Sequence, residues 1–152
     1  MLHEEDYGGR PIGFEETILR KTKNIVMPGD VLIHLGDIAL YRDEYWNKQL
    51  RAACAGKMWL IRGNHDKKTV TWYLEMGWDF VGDEILLHMY GKRVLFTHRP
   101  APDGDHYDLN IHGHLHANKH HAPGGDKHRL VYMEHEYSPV SVRSIVEKKG
   151  VK

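Results

Sequence analysis

Four short apolar runs in this chain each stop at residues able to bind a cation, and that repeated pattern restricts the fold more than any other feature. Val31-Leu32-Ile33-His34-Leu35 stops at Gly36-Asp37. Met58-Trp59-Leu60-Ile61 stops at Arg62-Gly63-Asn64-His65-Asp66. Arg93–Thr97 stops at His98, and Leu109-Asn110-Ile111-His112 at Gly113-His114-Leu115-His116. Runs of this length read as buried strands. In α/β folds the residues just past strand ends collect on one rim of a sheet, where substrates bind. The adjoining glycines suit tight turns or a close backbone approach to a ligand.

Around these strands the pattern predicts helices. One should run over Phe14–Ile25, with Phe14, Ile18 and Ile25 on one face. A second should cover Tyr41–Ala53, with Trp46, Leu50 and Ala53 as its apolar stripe. A short helix over Thr69–Met76 should close at Gly77, and a last one over Val142–Lys149 should be capped by Ser141. The first strand–helix–strand unit should be a right-handed parallel crossover. Ile85–Met89 and Arg93–Thr97, flanking Tyr90-Gly91-Lys92, read as a hairpin, and Arg129–Glu134 as a further strand. The expected architecture is α/β, parallel early and antiparallel late, with two facing sheets and helices outside.

Composition narrows the function classes. The 152 residues fit one domain, 1–152. The 21 basic and 21 acidic residues cancel, which disfavours a general nucleic-acid or membrane binder. A nucleotide remains compatible. No apolar run reaches the ~20 residues of a membrane span. The single cysteine, Cys54, excludes an internal disulfide and reads as a small buried hydrophobe. A cytoplasmic setting is the expectation. The 13 histidines are the unusual count, and only their context separates ligands from surface residues.

The residue types at the strand ends suit a metal-dependent hydrolase. Asp37 offers two carboxylate oxygens and Asn64 a neutral carbonyl oxygen, while His98, His114 and His116 offer ring nitrogens. Two divalent cations ~3.5–4 Å apart can hold a phosphate and activate water. Singly, each feature has an ordinary reading: Asp37 as a turn residue or helix cap, Gly63-Asn64 and Gly113-His114 as turns, His98 as a core histidine.

Gly36-Asp37, Gly63-Asn64-His65-Asp66, His98 and Gly113-His114-Leu115-His116 resemble, in order and rough spacing, the motifs of the calcineurin-like metallophosphoesterases. The resemblance runs from about Val31 to His116, and 131–140 looks like the end of small bacterial and phage members. It implies a two-sheet αββα sandwich and the hydrolysis of a phosphomonoester or phosphodiester. By the same resemblance Asp37 bridges two metals. Asn64, His98 and His114 complete one site, and His116 belongs to the other. His65 assists the leaving group, oriented by Asp66. The cofactor would be Mn, Zn, Fe, Ni or Co, two ions in the family and one or two here.

The family's opening Asp-x-His strand has no counterpart before Asp37. Three readings follow: an N-terminally truncated sequence, a short one-metal variant, or a catalytically impaired metal- or phosphate-binding module. Arg62 and Arg99 flank the motifs and are candidate phosphate ligands, with an ion-paired or solvated role as the alternative. His34 and His112 read as structural histidines, and His120, His121 and His128 as surface residues of a loop. The oligomeric state is open.

Overall fold

The computed structural model describes residues 10–114, 126–132 and 136–148. Its first sheet has strand order β1-β2-β3: β1 (Val31–His34), β2 (Lys57–Ile61) and β3 (Phe80–Gly82). Both pairings are parallel, with Leu32 opposite Met58 and Leu60 opposite Val81. Helix α2 (Asp43–Ala53) makes the β1–β2 crossover and α3 (Val70–Glu75) leads into β3. Thr69 caps α3 by accepting from the Trp72 amide at 3.1 Å, which satisfies one of its free N–H groups. Helix α1 (Phe14–Ile25) precedes β1 with the expected boundaries.

The second sheet has order β4-β5-β6-β7: β4 (Glu84–Met89), β5 (Lys92–Thr97), β6 (Leu109–His112) and β7 (His128–Leu130). The β4–β5 hairpin turns through Tyr90 and Gly91, both at positive φ, as a two-residue turn matched to strand twist requires. Only this pair is antiparallel. β5–β6 and β6–β7 are parallel, which corrects the expectation of an antiparallel second half.

Two apolar layers follow from strand alternation. Met58 and Leu60 on one face of β2 pack with Val26, Leu50, Cys54, Tyr73 and Trp78, the layer beneath the first three helices. Ile61, on the other face, packs with Val94, Phe96, Leu109 and Ile111, so the two sheets face each other. Val146 of α4 (Val142–Glu147) joins this inter-sheet layer. The outer face of the second sheet departs from expectation. Among the described residues it is covered by segment 99–107 rather than by a helix, through contacts such as Ala101 N–H to Asn110 Oδ1 at 2.9 Å. Ser141 precedes α4 without a side-chain capping bond. No described helix is long and apolar enough to cross a membrane.

Candidate metal centre

The first two strand ends touch because both carry glycine. Gly36 sits at φ +96°, and a Cβ there would lie 2.5 Å from the Gly63 nitrogen and 2.7 Å from His98 Nδ1. A Cβ on Gly63 would lie 2.5 Å from the Asp37 nitrogen and strike its carboxylate. Neither loop can therefore take a side chain without moving the other. Asp37 itself is at φ 56° and His114 at φ 68°. Residues other than glycine are uncommon there, although Asp and His tolerate it better than most.

Asp66 fixes this contact. Its carboxylate is buried and accepts the main-chain N–H groups of Asp37 (2.7 Å), Ile38 (3.1 Å) and Gly63 (2.8 Å). These three bonds give Asp66 a structural role, holding the Asp37 and Gly63 loops together. His65 is tied through its own N–H, which donates to Asp37 Oδ1 at 2.9 Å. The residue is exposed.

His98, only 6% exposed, lies at the centre. Its Nδ1 is 2.6 Å from the Leu35 carbonyl oxygen, which can only accept, so Nδ1 carries the proton. In the neutral ring Nε2 then offers a lone pair. That lone pair meets Asn64 Oδ1 at 2.9 Å, His114 Nδ1 at 2.9 Å and Asp37 Oδ2 at 3.2 Å. One nitrogen cannot satisfy three such neighbours, and two of them are oxygens that only accept. A cation among these four atoms could take all of them as ligands. The ring N–H held by a backbone carbonyl is also the usual support for a metal-binding histidine. Ligand atoms of Asp37, His98 and His114 all lie within 4.8 Å of one another. The donor set, two oxygens and two imidazole nitrogens, fits a borderline transition metal.

Four of the five expected ligands therefore come together, and His116 lies outside the described residues. The arginines separate. Arg62 is ion-paired with Asp83, Nη2 to Oδ1 at 3.0 Å, the ordinary alternative for that residue. Arg99 is exposed. His34 accepts from the Gly36 N–H at 3.1 Å, and burial lowers its pKa against the opposing pull of Asp66 and Asp37. His112 is fully buried, and burial lowers its pKa as well. His128 is a correction: it is 9% exposed, on β7, facing Asn110 and Asp103 at 3.2 Å each. His120 and His121 fall outside the described residues.

No protein-family description matches this chain, and no curated protein does. Among solved structures the fold is similar to that of AQ665, a protein of unknown function from Aquifex aeolicus. That match has a TM-score of 0.72 and 26% identity, over 97% of this chain and 93% of that one. A Pseudomonas putida nuclease, MPE, matches with a TM-score of 0.48 and 26% identity, over 70% of this chain and 55% of that one. The arrangement of Asp37, His98 and His114 is compatible with a metal-dependent hydrolase.

The sequence reading missed two contributors. The Leu35 carbonyl that orients His98 is main chain and leaves no sequence signal. Asn110 is buried beside the Thr97–Ala101 turn, and a polar residue inside the strand Leu-Asn-Ile-His was its one visible sign.

Proposed function

We propose that this chain is a metallophosphoesterase domain of the calcineurin-like type, hydrolysing a phosphomonoester or phosphodiester with a divalent transition metal (Mn, Zn, Fe, Ni or Co). The observation that carries the reading is the convergence of Asn64 Oδ1, His114 Nδ1 and Asp37 Oδ2 on Nε2 of His98. Asp37, Asn64, His98 and His114 would hold the ion, with His116 contributing to a second. When bound, such an ion supplies Lewis-acid charge to a phosphoryl oxygen and to an attacking water.

The remaining steps fall to the chain's own groups. Asp66 keeps the Asp37 and Asn64 loops in register. The imidazole of His65 can deliver a proton to the departing alkoxide near neutral pH. The guanidinium of the exposed Arg99 can take non-bridging phosphoryl oxygens in its planar fork.

The test is elemental analysis of the chain after equilibration with Mn²⁺, together with hydrolysis of p-nitrophenyl phosphate and its bis-ester. Bound metal, turnover and loss of both in Asp37→Ala are expected. An unaltered Asp37→Ala, or a chain that binds none of the five metals, would sink the proposal. The second reading, a binding module without turnover, draws on the single ligand cluster among the described residues. One tightly held ion with no hydrolysis of either ester would favour it.

A further inference from the structure

The outer face of the second sheet carries a polar cluster beside Leu95 and Leu130. Thr97, Asn110, His112 and His128 share it through the pairings Thr97–His112 and Asn110–His128. All four are buried, Asn110 and His112 completely. Buried polar groups persist when their hydrogen bonds are met, and Asn110 meets every one. Its Nδ2 donates to the Leu95 carbonyl at 3.0 Å and to Thr97 Oγ1 at 2.9 Å. Its Oδ1 accepts the Ala101 N–H at 2.9 Å and lies 3.2 Å from His128 Nδ1. The Ala101 donor and the Leu95 acceptor fix which way the amide faces. The Thr97 hydroxyl then donates to the Arg99 carbonyl oxygen at 2.6 Å.

These bonds bracket Arg99. Its own carbonyl is held by Thr97, and the Ala101 amide is held by Asn110. The side chain is left exposed, next in sequence to His98. An apolar pair on this face would fill the space without desolvating four polar groups. What the polar pair adds is a fixed main-chain direction at Arg99.

We infer that Thr97 and Asn110 are positioning residues that aim Arg99 at the phosphoryl group of the substrate. This rests on the phosphate-ester reading and deepens it: the network sets the affinity for the phosphate group and leaves metal loading alone.

The experiment uses the Mn²⁺-loaded full chain, with inorganic phosphate as inhibitor of p-nitrophenyl phosphate hydrolysis. Thr97→Val keeps the shape and removes both hydroxyl bonds. It should raise KM and the phosphate inhibition constant by ~10–150-fold, the size of one lost charged hydrogen bond. The change in kcat should stay within about 3-fold and Mn²⁺ per chain should be unchanged. Thr97→Ser should restore the wild-type constants. In an Arg99→Ala background Thr97→Val should add less than about 2-fold, because the group it aims is gone. If Thr97→Val folds too poorly to assay, Thr97→Ala serves, since it removes the same two hydroxyl bonds and buries no charge.

Wild-type phosphate affinity in the variant overturns the inference, as does an equal KM rise without Arg99. Either result leaves the phosphoesterase reading standing. A wild-type chain that neither holds Mn²⁺ nor responds to phosphate removes both.

Discussion

Asp66→Asn separates a carboxylate that builds the site from one that tunes His65. Asp66 Oδ2 accepts the Asp37 and Gly63 amides, and Oδ1 accepts the Ile38 amide. A hydrogen bond to an ionised group contributes ~1.5–3 kcal/mol and a neutral one ~0.5–1.5 kcal/mol. Asparagine can keep its oxygen on the Asp37 and Gly63 amides as two neutral bonds. Its NH₂ then faces the Ile38 N–H, donor against donor, and an unmet buried donor costs ~1–3 kcal/mol. The net loss is ~3–6 kcal/mol, a large part of the ~5–15 kcal/mol that holds a domain together. At ~2–4 °C per kcal/mol for a chain of this size, Tm should fall by ~6–24 °C. Scanning calorimetry of the metal-free protein reads this directly. Titration with Mn²⁺ should show affinity falling ~10–100-fold, because Asp37 is no longer held. A variant that melted within about 1 °C of wild type, with unchanged Mn²⁺ affinity and a lower kcat, would refute the reasoning and return Asp66 to orienting His65.

Other outcomes follow from the same geometry. His65→Ala should keep its metal and lose ~10²–10⁴-fold in rate on esters with poor leaving groups, with little loss on p-nitrophenyl esters; parallel kcat measurements check it. Mn²⁺ at 100 times its dissociation constant should stabilise the chain by ~2.7 kcal/mol, so chelation should lower Tm by several degrees in the wild type and not in Asp37→Ala. Asp108 is held down to about 2 by the Arg93 side-chain hydrogen bond and then by the Arg93 backbone N–H. Its folded pKa is depressed, so its contribution is complete above the ordinary carboxylate range of ~4 and is lost as pH falls towards 2. Acid titration of Asp108→Asn should therefore flatten the stability curve between these limits. The effect should shrink in salt, since both partners are about two-fifths exposed.

Much of the fold was legible because long elements carry strong periodicity. Helix α1 has the expected boundaries, and so does β6. Strand β3 went unseen because it has three residues, too few for alternation to register. His128 was misread as a surface residue because Pro123-Gly124-Gly125 just before it signals a loop; it is buried by long-range partners, Asn110 and Asp103. At the site, the ligand types were visible beside their glycines. The work of Asp66 was not, because it depends on two loops 29 residues apart touching through Gly36 and Gly63. Arg62 and Arg99 were equal in sequence, and only the position of Asp83 divides them.

The misjudged direction of β6 shows what the sequence already implied. His98 follows β5, and His114 lies just beyond Gly113 at the end of β6. In the parallel register Thr97 stands opposite His112, so both strands bring their histidines to the same edge. Reversing β6 would carry His114 the length of a four-residue strand, roughly 13 Å at the usual rise. Coordination bonds of ~2 Å cannot span that gap. The same holds for Asp37 and Asn64, which follow the parallel pair β1 and β2. A shared cation at four strand ends therefore demands that neighbouring strands run together. The ligand spacing was a stronger statement about strand direction than the hairpin that suggested the opposite.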